Sequence, residues 1–337
     1  MSNPNKKRWD PADYADVDAK LKSSGKDPFA YSRTAMKTGS SLHPINDPRK
    51  HGYRRSADLP DALKTSIALI TDVTGSGRDV PGIVRNTVPQ MQGLLSVGGY
   101  VQFPDIQFSF VGDATCDQYP LQIPEFESSA ENLDDTLTHA VLEGGGGGQM
   151  TESYELMMWY MNNMNKLDCW NRGEKGFMFI SGDENPYPYV SSDQIQKYIT
   201  GKAEDQGEAY EFLKGIKRDI PLQQVVDDAM SKYHVYYIIS EGSSWYGDAR
   251  VEKTWRSLLG DENYIQLRDA SEISRMVASI VGHRSGVRMD KIQQDLANLG
   301  SDSRFIDNVT MTLAMGSNSG STNIVPKTNL GSKAKRF

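Results

Sequence analysis

Short apolar runs alternate along the chain with stretches whose apolar residues recur every three or four positions. The runs are Ser66–Asp72 (SIALITD), Ile106–Asp113 (IQFSFVGD), Gly176–Asp183 (GFMFISGD), His234–Ser240 (HVYYIIS) and Tyr264–Leu267 (YIQL). Apolar runs of this length predict strands covered on both faces, as in a parallel sheet. Pro81–Val97 carries Ile83, Val84, Val88, Met91, Leu94 and Leu95 and predicts a helix kinked at Pro89. Further helices are predicted over Glu131–Leu142, Thr151–Leu167, Ser192–Thr200, Leu222–Lys232, Ala249–Leu259 and Ser271–Val281. A charged insertion, Gly201–Asp219, is expected to be partly helical, and IPEFES (Ile123–Ser128) to hold an edge strand antiparallel to the second strand. Strand and helix in alternation predict an α/β fold: a doubly wound, mostly parallel sheet with helices on both faces and one antiparallel edge strand.

The flanks break this pattern. Residues 1–60 lack sustained periodicity and hold Pro4, Pro11, Pro28, Pro44, Pro48 and Pro60. They read as an extended, largely irregular arm with one short helix capped at Asp10. The α/β domain is expected over residues 61–284. A helical extension follows over 285–315, with helices at Asp290–Leu299 and Asp302–Leu313. From Gly316 the sequence turns to GSNSGSTN and ends KAKRF, a flexible basic tail over 316–337.

Composition narrows the class. A chain of 337 residues, 38% of them hydrophobic, can bury a substantial core. No run reaches the roughly eighteen apolar residues that a membrane span needs. The N-terminus has no apolar segment after its lysines, so it does not read as a secretory signal. Cys116 and Cys169 lie far apart without CxxC spacing, against a disulfide framework or a zinc site, and a reducing cytoplasm is the expected compartment. The net charge of −7 argues against nucleic acid as the main partner. Residues 1–60 nevertheless hold 12 Lys/Arg against 7 Asp/Glu, so basic ends flank an acidic body.

Candidate chemistry gathers where strands end, since ligands of doubly wound sheets bind beyond the carboxyl ends of parallel strands. The first strand delivers Asp72, Thr74 and Ser76, and the third Asp183 and Glu184. The break at Gly144–Gly148 delivers Thr151, with Gln149, Glu152 and Ser153 beside it. Oxygen donors without imidazole or thiolate favour Mg²⁺ over zinc. Taken alone, DVTGSG reads equally well as a glycine-rich turn capping a helix.

The remaining motifs read as structure. TGSGRD lacks the lysine and spacing of a phosphate-binding loop. The glycine run reads as a hinge. The five histidines show no metal-ligand spacing, and neither cysteine has an activating base in sequence. MMWYMNNM reads as a packed helix face. Loops Asp113–Gln118, Asn185–Tyr189 and Glu241–Tyr246 bring Trp245, Tyr187, Tyr189 and Tyr246 to the edge where the strands end, which reads either as an aromatic border for a protein partner or as ordinary loops whose aromatics cover the sheet end.

Asp-x-Thr-Gly-Ser after a buried strand, a Gly-Gly loop leading to Thr151, and Ser-Gly-Asp at Ser181–Asp183 together resemble the von Willebrand factor A domain. The resemblance extends over Ser66–Val281 and includes the family's metal-ion-dependent adhesion site. It implies a Rossmann-like fold and a bound Mg²⁺, or Mn²⁺ or Ca²⁺. Thr74 and Ser76 would bind it directly and Asp72 partly through water. Thr151 would be a switchable ligand, and Asp183 would hold metal-bound water. Thr74 replaces the family's usual serine, and GGGGGQMT is longer than the family's loop.

The implied function is a metal-dependent, non-enzymatic adaptor that captures an acidic side chain of a protein partner. The resemblance extends to family members that act beside AAA-type ATPases or in multiprotein and phage assemblies, which would place the chain in a cell's or host's cytoplasm or in a virion. Two other readings stand beside it. One is a structural or virion-associated assembly protein with a vestigial metal site. The other is a Mg²⁺-dependent phosphoesterase using Asp183 and Glu184.

Overall fold

Strand β1 (Lys64–Asp72) takes the centre of the sheet because both of its faces are apolar: Ile67 and Leu69 look to one side, Ala68 and Ile70 to the other, all fully buried. The computed structural model describes residues 27–56, 63–145, 148 and 150–318, with residues 16, 19, 20 and 23 singly before them and the side chains of Ser76, Ser317 and Asn318 excepted. In it β1 pairs in parallel with β2 (Phe103–Val111) and with β4 (Gly176–Ser181). Strand β5 (Tyr233–Ser240) continues the sheet beyond β4, and β6 (Tyr264–Leu267) closes that edge, both parallel. The other edge is β3 (Leu121–Gln122), antiparallel to β2, which gives the order β6-β5-β4-β1-β2-β3.

Helices cover both faces. On one side α2 (Val80–Gln92), α3 (Ala130–Thr138) and α7 (Ile273–Arg284) pack over Ile67, Leu69, Phe108 and Phe179. On the other, α4 (Tyr154–Met164), α5 (Leu222–Lys232) and α6 (Ala249–Leu259) pack over Ala68, Ile70, Met178 and Tyr237. The protein is thus a doubly wound α/β fold with a mostly parallel sheet and one antiparallel edge. The C-terminal helices α8 (Met289–Asn298) and α9 (Ser303–Asn318) bury Ile292, Leu296, Phe305, Val309 and Leu313 in the first of these cores. They extend the domain's own core.

Several boundaries move for identifiable reasons. The edge strand lies just before IPEFES, of which only Glu127 bridges β2, opposite Ile106. Pro124 has no amide to donate, and its carbonyl is taken by the buried Gln107 side chain at 2.8 Å. The helix expected from Thr151 starts only at Tyr154, because Thr151–Glu152 is extended and pairs in parallel with Asn185–Pro186. Helix α2 runs through Pro89 and loosens afterwards in a π turn over Gly93–Val97. The helix expected to Leu142 ends at Thr138.

Much of the N-terminal arm lies against the body. Residues 27–56 include α1 (Ala30–Thr38), whose Ala35 is buried. Asn46 exchanges bonds with the body: its Nδ2 donates to the Thr136 carbonyl at 3.0 Å, and its carbonyl accepts from Ile123 N at 2.8 Å. Arg54 is fully buried, its guanidinium donating to Glu125 Oε1 at 2.9 Å and to the Ile123 carbonyl. The helix expected after Asp10 falls mostly outside the described residues, as does the basic tail beyond Asn318.

A buried guanidinium whose two terminal nitrogens both have acceptors is costly to truncate. Arg54→Ala is expected to lower the unfolding free energy by about 2–4 kcal/mol and to speed proteolysis between residues 40 and 56. Urea denaturation and timed proteolysis measure both; an unchanged urea midpoint would refute the docking role.

Candidate functional site

The register brings the carboxyl ends of four parallel strands to one edge. Asp72 lies opposite Val111, Thr71 opposite Ser181, and Ser181 opposite Ile238, so the loops leaving β1, β2, β4 and β5 emerge together. On β1, Asp72 shares the parity of Ala68 and Ile70 and faces α4.

Asp72 is buried and fully hydrogen-bonded. Its Oδ1 accepts from Thr74 N at 2.7 Å and from Thr74 Oγ1 at 2.6 Å, an Asx turn that bends the chain out of the strand. Its Oδ2 accepts from the hydroxyl of Tyr154, the first residue of α4, at 2.8 Å. Two glycines make room for this arrangement. A Cβ on Gly182 would overlap the Tyr154 hydroxyl, and one on Gly77 would approach the Asp72 carbonyl oxygen to 2.7 Å.

The short pairing of Thr151–Glu152 with Asn185–Pro186 brings Glu152 to the same point. Its Oε1 lies 2.9 Å from Thr74 Oγ1, and its Oε2 is buried without a hydrogen-bond partner. One threonine hydroxyl holds one proton and cannot donate to both Asp72 and Glu152. The two carboxyls titrate as a pair, both raised first by burial. The charges of Asp72 and Glu184 raise Glu152 further, and it keeps the proton. Glu152 then donates to Thr74, which donates to Asp72.

Two more acids close the rim. Asp183 Oδ2 accepts from Trp245 N at 3.1 Å. Glu184 Oε1 accepts from Trp245 Nε1 at 3.2 Å, while its Oε2 is buried and unpartnered. Burial, then Asp72 and Asp183, raise the Glu184 carboxyl to about 7. At the end of β2 the Asp72 turn is repeated: Asp113 Oδ1 accepts from Thr115 N at 2.8 Å and from Thr115 Oγ1 at 2.7 Å. The Tyr187 hydroxyl donates to Asp113, and Asp117 Oδ2 accepts from Asp113 N at 2.7 Å.

Asp72, Thr74 and Asp183 are therefore brought together as the sequence suggests. The hydrogen bond that the Gly-rich loop delivers to Thr74 comes from Glu152, whereas its neighbour Thr151 is half-buried on the same short strand. The side chain of Ser76, and Gln149, lie outside the described residues. Nothing in the helical pattern of YELMMWYM marks Tyr154 as a partner of Asp72. The second Asp-x-Thr, at Asp113–Thr115, is legible in sequence as a copy of Asp72–Thr74. The aromatic border is half inward: Trp245 and Tyr187 donate to acids, and Tyr189 is half exposed.

Donor chemistry at this edge fits a hard divalent cation. The side chains around Asp72 offer oxygen, with the Cys116 thiol turned to Asp113 and Asp117 at the end of β2; negative charge is in excess, and one buried Glu152 oxygen lacks a partner. Among the described residues no three His, Cys, Asp or Glu side chains are grouped as a ready-made metal cage. Both Asp72 oxygens are already engaged, so a cation there would draw on Thr74, Glu152 and Asp183, with Asp72 orienting Thr74.

No family model and no curated protein matches the chain. Among solved structures, the open pilus adhesin SpaC of Lactobacillus rhamnosus GG aligns at 11% identity with a TM-score of 0.43, over 73% of this chain and 31% of its own. Proximal thread matrix protein 1 of the mussel byssus aligns at 8% identity and TM-score 0.39, over 72% of this chain and 48% of its own. A von Willebrand factor type A protein from Catenulispora acidiphila aligns at 10% identity and TM-score 0.35, over 72% and 49%. The chain thus spans less than half the length of each. The α/β architecture rests on the strand order and helix placement themselves. Among the described residues no helix is long and apolar enough to cross a membrane.

The buried acids set a pH dependence. Glu184 is raised to about 7 and Glu155, buried beneath the Tyr187 amide, to about 8, both above their ordinary value of 4.5. The folded state therefore binds more protons than the unfolded one between those limits. The stability that these two groups contribute is full below pH 4.5 and is lost as pH rises through 7 to 8. In EDTA the melting temperature is expected to fall from about pH 5 to about pH 9, and Glu155→Gln to remove part of that fall while changing little at about pH 5. A flat melting profile across this range would refute the assignment.

Proposed function

We propose that the chain is a metal-dependent protein-binding module of the von Willebrand factor A type, which captures an acidic side chain of a partner at the carboxyl edge of β1. The observation that carries this reading is the buried, unpartnered oxygen of Glu152 beside Thr74 and Asp72, among acids that raise one another. Mg²⁺ is the proposed ion, held by Thr74 and Asp183 with Ser76 from the same turn, and by Glu152 where the resemblance implies Thr151. When bound, the ion supplies a positive position that accepts a carboxylate oxygen from outside.

The protein's own groups do the rest. Asp72 fixes the Thr74 hydroxyl, Tyr154 fixes Asp72, and Trp245 fixes Asp183 and Glu184. Glu152 gives up its proton when a cation takes the place of that proton's charge. Binding is favoured over phosphoester hydrolysis because the excess of acids at this edge repels a polyanionic substrate more strongly than a single carboxylate.

Mg²⁺ is expected to raise the melting temperature of the full chain, and EDTA to reverse this. Asp72→Ala should abolish the shift with the circular dichroism spectrum unchanged. Glu152→Gln should weaken Mg²⁺ binding by about 10–100-fold in calorimetry. A wild-type protein whose melting and partner capture ignore both Mg²⁺ and EDTA would sink the proposal.

A further inference from the structure

The opposite pole of the sheet carries the opposite charge. At the amino ends of β1, β4 and β5, beside the end of α7, a cleft of about 510 Å³ is faced, among the described residues, by Lys64, Arg172, Lys175 and Arg284 and by one acid, Glu174. Two of these cations are answered within the fold: Lys64 Nζ meets Asp168 at 2.8 Å, and Arg172 meets Glu174 at 2.8 Å. The other two bind neutral acceptors. Lys175 Nζ donates to the Met230 carbonyl at 2.5 Å, and Arg284 Nε to the Tyr236 hydroxyl at 3.1 Å. Among the described residues no carboxylate forms an ion pair with either.

His234 reports the resulting field. Its ring lies 5.1 Å from that of Phe177 on the cleft wall, and burial together with Arg284 and Lys175 pushes its pKa down to about 4. A neutral imidazole beside two cations without an ion-pair partner among the described residues is a ready donor or acceptor for whatever brings negative charge in.

We infer that this cleft binds a small phosphate-bearing molecule, whose phosphate is held by Lys175 and Arg284. Two positive charges that no described carboxylate pairs match one phosphate monoester, which carries about −1.5 to −2 at neutral pH. A carboxylate would answer only one of them. The cleft's volume falls within the range of about 300–1,000 Å³ typical of small-molecule sites. Tyr100 and Phe177 give it apolar walls for the body of such a ligand. The protein's overall charge of −7 disfavours a nucleic acid chain there. The nine residues of β1 separate this cleft from the acidic edge by roughly 25 Å, so it does not depend on the metal reading.

Calorimetric titration of the full chain with phenyl phosphate, and with benzoate as the carboxylate counterpart, tests this inference. Phenyl phosphate is expected to bind and to raise the His234 pKa in an NMR titration. Lys175→Gln/Arg284→Gln should weaken binding by about tenfold or more. Lys175→Arg, which keeps the charge, should bind nearly as the wild type does and guards against a double variant that fails to fold. The inference is overturned if phenyl phosphate does not bind, if the folded double variant binds it equally well, or if His234 does not respond. Equal affinity for benzoate would overturn the phosphate assignment.

Discussion

A carboxylate at the end of a strand buried on both faces cannot be hydrated, and everything at the acidic edge answers that constraint. β1 ends in Asp72, inside the sheet and beneath α4. The backbone and hydroxyl of Thr74 satisfy one of its oxygens and Tyr154 the other. Gly77 and Gly182 are small because these partners need the space. The turn, the start of α4 and the loop after β4 are thus tied to a single side chain. Burial costs an ionised group several kcal/mol unless it is paired, so such an arrangement is a poor way to gain stability and a good way to hold a charge in one place.

The fold separates its charges along the strands. Carboxylates collect where parallel strands end, at Asp72, Asp113, Glu152, Asp183 and Glu184. Lysine and arginine collect where they begin, at Lys64, Arg172, Lys175 and Arg284. At one pole acids are raised and at the other a base is lowered, for the same reasons: burial first, then like charges held close in a medium that screens poorly. At one pole the imbalance favours a cation, and at the other an anion. The apolar sheet between them keeps the two fields apart.

Strand and helix existence was legible because the apolar pattern has different periods in the two. SIALITD and HVYYIIS are apolar on both faces and became central strands, and Leu222–Lys232 and Ala249–Leu259 became helices with the bounds their periodicity suggests. Boundaries set by partners distant in sequence were not legible. Thr151–Glu152 has a helical pattern after it, yet it is extended because Asn185–Pro186 lies alongside. Residues 27–56 lack periodicity, yet they pack, because Asn46 and Arg54 meet carbonyl groups of residues 123 and 136.

The sequence by itself determined the parallel sheet, the edge at which chemistry gathers, and the presence there of Asp72, Thr74 and Asp183. These follow from local period and from the rule that successive parallel strands end on the same side. Only the tertiary structure decided that Glu152 would reach Thr74, that Tyr154 would hold Asp72, and that four cations would share a cleft at the far pole. Thr74 and Glu152 are 78 positions apart, Asp72 and Tyr154 82, and Lys64 and Arg284 in the cleft 220. No periodicity within a segment carries information about side chains that meet across such distances.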